Sequence, residues 1–385
     1  MRLSLIFAGT AMNFAPENIL HRIAQLQSKG GSRGAERYFP WGLFPAYRVN
    51  PFWLYRRPDT NVFFTAITIF TLRQLRSRVS TDAQRLIDDI AARGVSTYEL
   101  FRNKDGLKTY NFYQTHPSRH FPHGLVMRHF DHFRIPDDID DTAMVYLTSP
   151  PAPEELLWLK AKLTEHANGS KLTIRNTFRQ YRSLRAYSTW FGKHMPIEFD
   201  ACALSNMLYC IYHYNLPLNQ HDTDSLTFLR SIVATNRYRT HPFRCAHNYA
   251  RTSLIIYHLS RLIAAFDPPA LQPIREKLIH DAELAFHKVK NRLDKILLAT
   301  SLLRLGRLPP EVSLENLERD FAGFHFFVAG MLSAYENPFV YVWAGLPFWH
   351  IRWRCEAHNW ALVLEYVVLT EERDKGVGEK RTNGL

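Results

Sequence analysis

The feature that most constrains the fold is an alternation of two kinds of helical segment, which begins near residue 61. Segments that are apolar on every side alternate with amphipathic ones, in which hydrophobic residues recur at helical spacing, as at Leu156, Leu159 and Leu163. Helices that are apolar all round have to be buried, and amphipathic helices have to cover them. The alternation of the two helix types therefore predicts an inner and an outer layer of helices. The period-2 pattern of apolar and polar residues that is typical of strands is nearly absent.

The predicted fold is all-α, an (α/α) barrel or toroid of alternating inner and outer helices, with an irregular all-α bundle as the alternative. The repeats are divergent and span roughly 45 to 60 residues. The apolar segments predicted to lie inside are 61–75, 141–147, 199–214, 249–265, 294–305, 324–335 and 359–369. The amphipathic segments predicted to lie outside are 81–92, 153–166, 225–234, 270–289 and 314–321.

The domain organisation follows from where this pattern begins and ends. Residues 1–60, of which 27–60 are irregular and punctuated by Gly, Pro and aromatic residues, are predicted to form an N-terminal arm packed on the domain. Residues 61–370 are predicted to form the helical toroid domain, and the charged stretch 371–385 a disordered tail. No run of about 18 apolar residues is present, so no helix is expected to span a bilayer.

Composition and net charge indicate which kinds of molecule the protein is expected to bind and in which compartment it is expected to fold. Hydrophobic residues make up 46% of the 385 residues, which is enough for a large core and excludes general disorder. The net charge of +12 favours phosphate groups or anionic membranes, but Lys and Arg are scattered and no zinc-finger or RNP-like motif occurs, so no nucleic-acid partner is expected. Four cysteines without a C-x-x-C pair are typical of a reducing compartment. We expect a cytoplasmic protein, with a peripheral membrane contact and a homodimer both left open.

Four carboxylates lie within residues 137–141, immediately before an apolar segment. One or two Asp would suffice to cap a helix, whereas four repel one another and raise the pKa of at least one, as metal sites and acid chemistry require. Asp137, Asp138 and Asp141 spell D-D-x-x-D, a spacing that can hold Mg²⁺ against a diphosphate. Asp138, Asp140 and Asp141 spell D-x-D-D, in which flanking carboxylates can keep the middle one protonated as a strong acid.

Residues 138–144, D-I-D-D-T-A-M, resemble the protonation motif of class II terpene cyclases, a family of α-helical toroids that includes squalene–hopene cyclases and copalyl diphosphate synthase-like enzymes. The resemblance implies that Asp140 is the general acid, that Asp138 and Asp141 support it, and that the substrate is a linear isoprenoid. It implies no required cofactor and no protein metal site; Mg²⁺ would be needed only with a diphosphate substrate. The chain departs from the family pattern in having one helical domain instead of two and no repeated Q-W motifs.

Polar residues at other predicted inner-helix starts complete the candidate site. Parallel inner helices of a ring open in one direction, so we expect these residues to share one mouth with Asp140. The predicted substrate-binding or supporting residues are Asp137, Asp200, His247, His358 and Trp360. Asp200 and Cys202 also resemble part of the zinc site of protein prenyltransferase β subunits, although a helix cap at Asp200 with a core cysteine is the favoured interpretation.

Two other functions fit the same pattern. An (α/α)-barrel glycan-processing enzyme would pair Asp140 with Asp200 or Glu356 at an open groove. A non-catalytic toroid that binds a lipid or a partner would use the acidic run only for capping and surface charge. The predicted function is a terpene cyclase that starts cyclisation by protonation.

Overall fold

The computed structural model describes residues 14–34, 36–192, 195–330, 332 and 335–382, and side chains as far as residue 375. The described chain is 55% helix, with 15 α-helices and a small four-stranded sheet. The helices are α1 (Pro16–Leu26), α2 (Phe63–Leu75), α3 (Thr81–Val95), α4 (Ile139–Thr148), α5 (Pro153–Glu165), α6 (Ala201–His213), α7 (Gln220–Ala234), α8 (Arg237–Thr240), α9 (Pro242–Cys245), α10 (Thr252–Phe266), α11 (Arg275–Lys288), α12 (Arg292–Arg304), α13 (Glu318–Phe321), α14 (Pro338–Ala344) and α15 (Glu356–Thr382). The strands are β1 (Ala46–Asn50), β2 (Tyr55–Asp59), β3 (Phe327–Gly330) and β4 (His350–Cys355).

Six largely buried helices of the described chain contact one another in a cyclic order. Helix α2 packs on α4, α4 on α6, α6 on α10, α10 on α12, α12 on α15, and α15 again on α2. These helices correspond to six of the seven segments predicted to lie inside, and every residue of α4 is buried. The amphipathic helices α3 and α11 pack against this group from outside, on α2 and on α12.

The described residues are mostly helical, as predicted, but the all-α class is not confirmed, because they also contain a small sheet with the order β2-β1-β4-β3, antiparallel throughout. The seventh segment predicted as an inner helix, residues 324–335, contains β3 instead of a helix, and positions 331, 333 and 334 in it lie outside the described residues. Within β3, the apolar residue Phe327 lies opposite Trp353 of β4. The outer helix expected over 314–321 is reduced to α13, which has four residues.

The sheet lies against the end of the helical group at which α2 and α15 begin. Strand β4 runs directly into α15, and Phe327 of β3 contacts the rings of Phe63 and Phe64 at the start of α2. A buried ion pair joins β1 to β2: Arg48 and Asp59 lie 3.0 Å apart and both side chains are fully inaccessible. The indole N–H of Trp353 donates to Asp59 at 2.8 Å, so the same carboxylate also holds β4.

The first and last helices of the described residues pack on each other. Helix α1 packs on α15 and on α3. Strand β1, which belongs to the predicted arm together with β2, pairs with β2 on one side and with β4 on the other. Helix α15 extends to Thr382, across most of the segment 371–385 that was predicted to be disordered. None of the described helices is both long enough and apolar enough to cross a membrane.

Candidate functional site

The acidic run is the start of helix α4, and Asp138 supplies the helix cap. Its Oδ1 accepts hydrogen bonds from the backbone N–H groups of Asp140 (2.9 Å) and Asp141 (2.8 Å). Such bonds satisfy N–H groups that have no partner within the helix. Only the side chain of Asp138 accepts these cap bonds. Helix capping therefore does not account for the buried carboxyl groups of Asp140 and Asp141.

Asp137 has a structural environment of its own. Its carboxylate accepts hydrogen bonds from Asn103 Nδ2 (2.6 Å), Thr109 Oγ1 (2.5 Å) and Asn111 Nδ2 (3.1 Å). These donors come from the irregular segment between α3 and α4, so Asp137 fastens that segment to the start of α4. Within the described residues, no group of three or more His, Cys, Asp or Glu side chains is arranged to hold a metal ion.

Asp138 and Asp141 form a pair of hydrogen-bonded carboxyl groups. Burial raises the pKa of Asp138 to about 7. Burial raises the pKa of Asp141 well above its ordinary range, and the negative charge of Asp138 raises it further. Burial therefore favours the protonated form of both carboxyl groups in this pair.

Asp140 points away from this pair into a hydrogen-bonded chain that crosses three neighbouring helices. Asn206 of α6 donates from Nδ2 to its Oδ1 at 2.5 Å, and the hydroxyl of Tyr249, just before α10, donates to its Oδ2 at 2.5 Å. Arg261 of α10 donates in turn to the amide oxygen of Asn206. Burial raises the pKa of Asp140, while the two donors and the charge of Arg261 oppose the rise.

Asn206, Tyr249 and Arg261 were not among the predicted site residues. The sequence does carry a signal for two of them, since Asn206 and Arg261 stand within segments predicted as buried apolar helices. A polar or charged side chain in such a helix needs a partner in the interior. Which partner it meets depends on how α4, α6 and α10 are packed.

Aromatic rings surround Asp140 on the side of Tyr249. The ring of Tyr249 lies 5.8 Å from Phe326 and 6.3 Å from both Phe63 and Phe327, and it lies 4.9 Å from the ring of His258. These rings are contributed by α2, by α10 and by the region of β3. The acid thus lies beside a buried aromatic wall.

Asp200 caps α6, as the favoured interpretation predicted. Its Oδ1 accepts from the backbone N–H groups of Cys202 (2.8 Å) and Ala203 (3.2 Å), and its Oδ2 accepts from the N–H of Asn248 (2.8 Å). Burial raises the pKa of Asp200 to about 7, and the charge of nearby Asp140 contributes to the rise.

Glu198 and His247 form the next layer outward from Asp200. Burial raises the pKa of Glu198 to about 8, with a contribution from the charge of Asp200, and Asn248 donates to it at 3.0 Å. His247 lies 3.7 Å from Glu198 and bonds the hydroxyl of Tyr341 at 2.5 Å. Burial lowers the pKa of His247 to about 3, so the ring is neutral near pH 7.

The two predicted site residues of α15 have different surroundings. His358 bonds Thr68 at 3.3 Å, and its ring lies 4.4 Å from that of Phe326, whose other neighbour is Tyr249. Burial lowers the pKa of His358 to about 3. Trp360 instead contacts Phe321 at 5.0 Å, on another side of the helix. Phe326 thus lies between His358 and Tyr249, the residue that donates to Asp140, whereas Trp360 lies apart from this group.

A cavity of about 1020 Å³ lies outside the layer of Glu198 and His247. Tyr341 is part of its wall, and so is Val328, whose N–H donates to the carbonyl of Asn248 at 2.8 Å. Its wall is basic, with the described arginines Arg175, Arg182, Arg244, Arg251 and Arg352. Glu336 also lines the cavity and pairs with Arg175 at 3.2 Å.

No protein-family model, no curated protein and no solved structure matches this chain. Its function is therefore inferred from its own residues and their geometry.

Proposed function

We propose that this chain is a class II-type isoprenoid cyclase in which Asp140 protonates a linear prenyl substrate and so starts its cyclisation. The six buried helices in cyclic contact are proposed to be the inner ring of an (α/α) toroid, with the small sheet over one end. The observation that carries the proposal is the environment of Asp140: a buried carboxyl group that accepts from Asn206 and Tyr249 and makes no capping bond.

This environment suits a general acid that has to keep its proton until the substrate arrives. Burial disfavours the charged carboxylate and raises its pKa, which favours the protonated form. Asn206 and Tyr249 are positioned to stabilise the carboxylate that remains after the proton has left. In the proposed step the O–H bond of Asp140 breaks, a C–H bond forms at a terminal alkene carbon, and a tertiary carbocation and a carboxylate result.

The surroundings of Asp140 also suit the later steps. Aromatic faces such as those of Phe63, Tyr249 and Phe326 attract cations without reacting as bases, so they can stabilise successive carbocations. Loss of a proton to a base, or capture of water, ends the cascade. Because burial favours the protonated forms of Asp138 and Asp141, the negative charge beside Asp140 stays low, and these two residues are proposed to support the acid.

The environment of the other acids favours this proposal over glycan processing. Glycan hydrolysis requires two carboxyl groups that face one sugar from an accessible groove. Asp200 is fully buried and committed to its cap, and Glu356 is half-exposed and paired with Arg22 at 2.8 Å. Neither is presented together with Asp140 at an open surface.

Replacement of Asp140 by Asn tests the proposal, because it keeps the size of the side chain and removes the acidic proton. Purified protein is incubated with linear prenyl diphosphates, with and without Mg²⁺, and with squalene, and the products are identified by gas chromatography with mass spectrometry. We expect cyclic product from the wild type and a loss of about 10²–10⁴-fold or more in Asp140→Asn, since general-acid catalysis typically contributes that much. Asp138→Asn and Asp141→Asn should lower turnover less.

The matched control is Asp88→Asn, the same change at an exposed residue of α3, which should leave turnover unchanged. Circular dichroism of each variant establishes that it is folded. Wild-type turnover in Asp140→Asn would refute the mechanism, and so would a wild-type protein that cyclises none of these substrates. Unfolding of Asp140→Asn would instead assign the acidic run a structural role.

A further inference from the structure

A group of large apolar side chains is exposed on the surface that carries the sheet. Three of them, Phe52, Trp53 and Leu54, form the turn between β1 and β2, and Leu54 is 93% exposed. Phe348 lies against this turn, with ring centroids 5.8 Å from Phe52 and 5.5 Å from Trp53. We call these residues, together with the exposed residues of α14 described next, the apolar rim.

Helix α14 presents its apolar stripe to solvent. The large exposed side chains in and just after this helix are Phe339, Val342, Trp343 and Leu346. They are spaced i, i+3, i+4 and i+7, so they share one face of the helix. In a soluble protein that stripe normally faces the core, yet Phe339 is 83% and Val342 72% exposed.

A basic surface adjoins the apolar rim. The register places Arg56 of β2 and Arg352 of β4 on either side of Val49, so both arginines lie on one face of the sheet, with Arg354 two residues further along. The opposite face carries the buried Arg48 and Trp353. Cation–π contact between Arg352 and Phe52, 6.0 Å apart, joins the basic face to the apolar rim.

Acidic residues are missing from both sequence segments that build this surface. Residues 37–58 and 337–355 contain no Asp or Glu. Exposed Trp, Phe and Leu beside Arg are typical of surfaces that enter the interface of a bilayer. A bilayer with anionic lipids complements both the basic face and the apolar rim, since its phosphates can bind Arg and its acyl region can accommodate the apolar side chains.

We propose that the apolar rim and the adjoining basic face dock on a membrane that contains anionic lipids. The turn of Phe52–Leu54 and the exposed stripe of α14 would enter the headgroup region, and Arg56, Arg352 and Arg354 would contact lipid phosphates. The cavity of about 1020 Å³ shares Val342 and Arg352 with this surface, so docking would bring its entrance to the bilayer. The proposal does not depend on the chemistry of Asp140.

Co-sedimentation of the full chain with vesicles tests it. We expect binding to vesicles of phosphatidylcholine mixed with phosphatidylserine, weaker binding to phosphatidylcholine alone, and release from the mixed vesicles at high salt, because surface charges are screened. Phe339→Ser with Trp343→Ser should weaken binding by about tenfold or more, since both apolar side chains would lose their contact with lipid. The matched control is Leu157→Ser with Leu308→Ser, two exposed leucines outside this surface.

A second pair of variants separates charge from apolar contact. Arg56→Gln with Arg352→Gln should reduce the preference for phosphatidylserine and the effect of salt, whereas Arg85→Gln, an exposed arginine of α3, should not. Wild-type binding of the Phe339→Ser, Trp343→Ser protein would overturn the proposal, and so would equal binding of the wild type to both kinds of vesicle. Light scattering that shows a wild-type dimer and a monomeric variant, with unchanged vesicle binding, would assign the surface to a second copy of the chain.

Discussion

The buried ion pair of Arg48 and Asp59 makes a quantitative prediction about the stability of the sheet. The pair is fully inaccessible at 3.0 Å, and Asp59 also accepts from Trp353 (2.8 Å) and Asn61 (2.7 Å). Asp59→Asn keeps the shape of the side chain but removes its charge. Its carboxamide can still accept from Trp353 and Asn61 through its oxygen, and its NH₂ group then faces the guanidinium of Arg48, which is left without an acceptor there.

We expect Asp59→Asn to lower the free energy of unfolding by about 3–5 kcal/mol, because it leaves an uncompensated charge in the interior. The matched control is Asp88→Asn. Asp88 pairs with Arg76 at 2.8 Å, but both side chains are about half-exposed, so the loss there should be about 1 kcal/mol or less. Urea denaturation followed by circular dichroism measures both variants.

A double variant tests whether the charge itself is the cause. Arg48→Met added to Asp59→Asn removes the stranded cation, so part of the lost stability should return. The reasoning is refuted if Asp59→Asn costs no more than Asp88→Asn. It is also refuted if the double variant is less stable than Asp59→Asn by the full cost of a second independent core substitution.

Two further predictions concern the residues around the candidate acid. Asp138→Ala should lower the free energy of unfolding by about 0.5–2 kcal/mol in urea denaturation, because α4 loses its cap; an unchanged value would show that the cap bonds contribute nothing. Burial raises the pKa of Glu198 to about 8 in the folded state. Above the ordinary carboxyl pKa the unfolded chain has lost this proton while the folded protein still holds it, so a rising pH favours unfolding until the folded protein also loses the proton near pH 8. The wild type should therefore lose stability as the pH rises from about 4.5 to about 8, with a slope of up to about 1.4 kcal/mol per pH unit from this group. Glu198→Gln should flatten that slope, and an unaltered slope would exclude Glu198 as its source.

The chain's local patterns were sufficient to predict most of the helices. The period of the hydrophobic residues distinguishes a wholly buried segment such as α4 from an amphipathic one such as α3, because that period reflects which faces of one helix meet water. Local chemistry likewise predicted the cap at Asp200, since a helix start needs an acceptor for its first N–H groups. The sequence alone also predicted that Asp138, Asp140 and Asp141 are crowded together at the start of one helix.

The sheet and the partners of the acidic run could not be obtained in this way. Strand β1 pairs with β4 across some three hundred positions of sequence, and β3 was mistaken for an inner helix because a short apolar run has no period that separates the two. Asp137 and Asp140 are only three positions apart in the chain, yet they have different partners. Asn103 and Thr109 donate to Asp137, whereas Asn206 and Tyr249 donate to Asp140.

Tertiary packing also determined which apolar side chains stay in water. The stripe that begins at Phe339 has the spacing of a core-facing helix, and only the packed structure leaves it exposed beside the turn of Phe52 and Trp53. Sequence by itself determined most of the helical segments and which of their ends need a cap, because these properties depend largely on neighbours within a few residues. Contacts between helices and between strands, and with them the environment of each acid, depend on residues that only folding brings together.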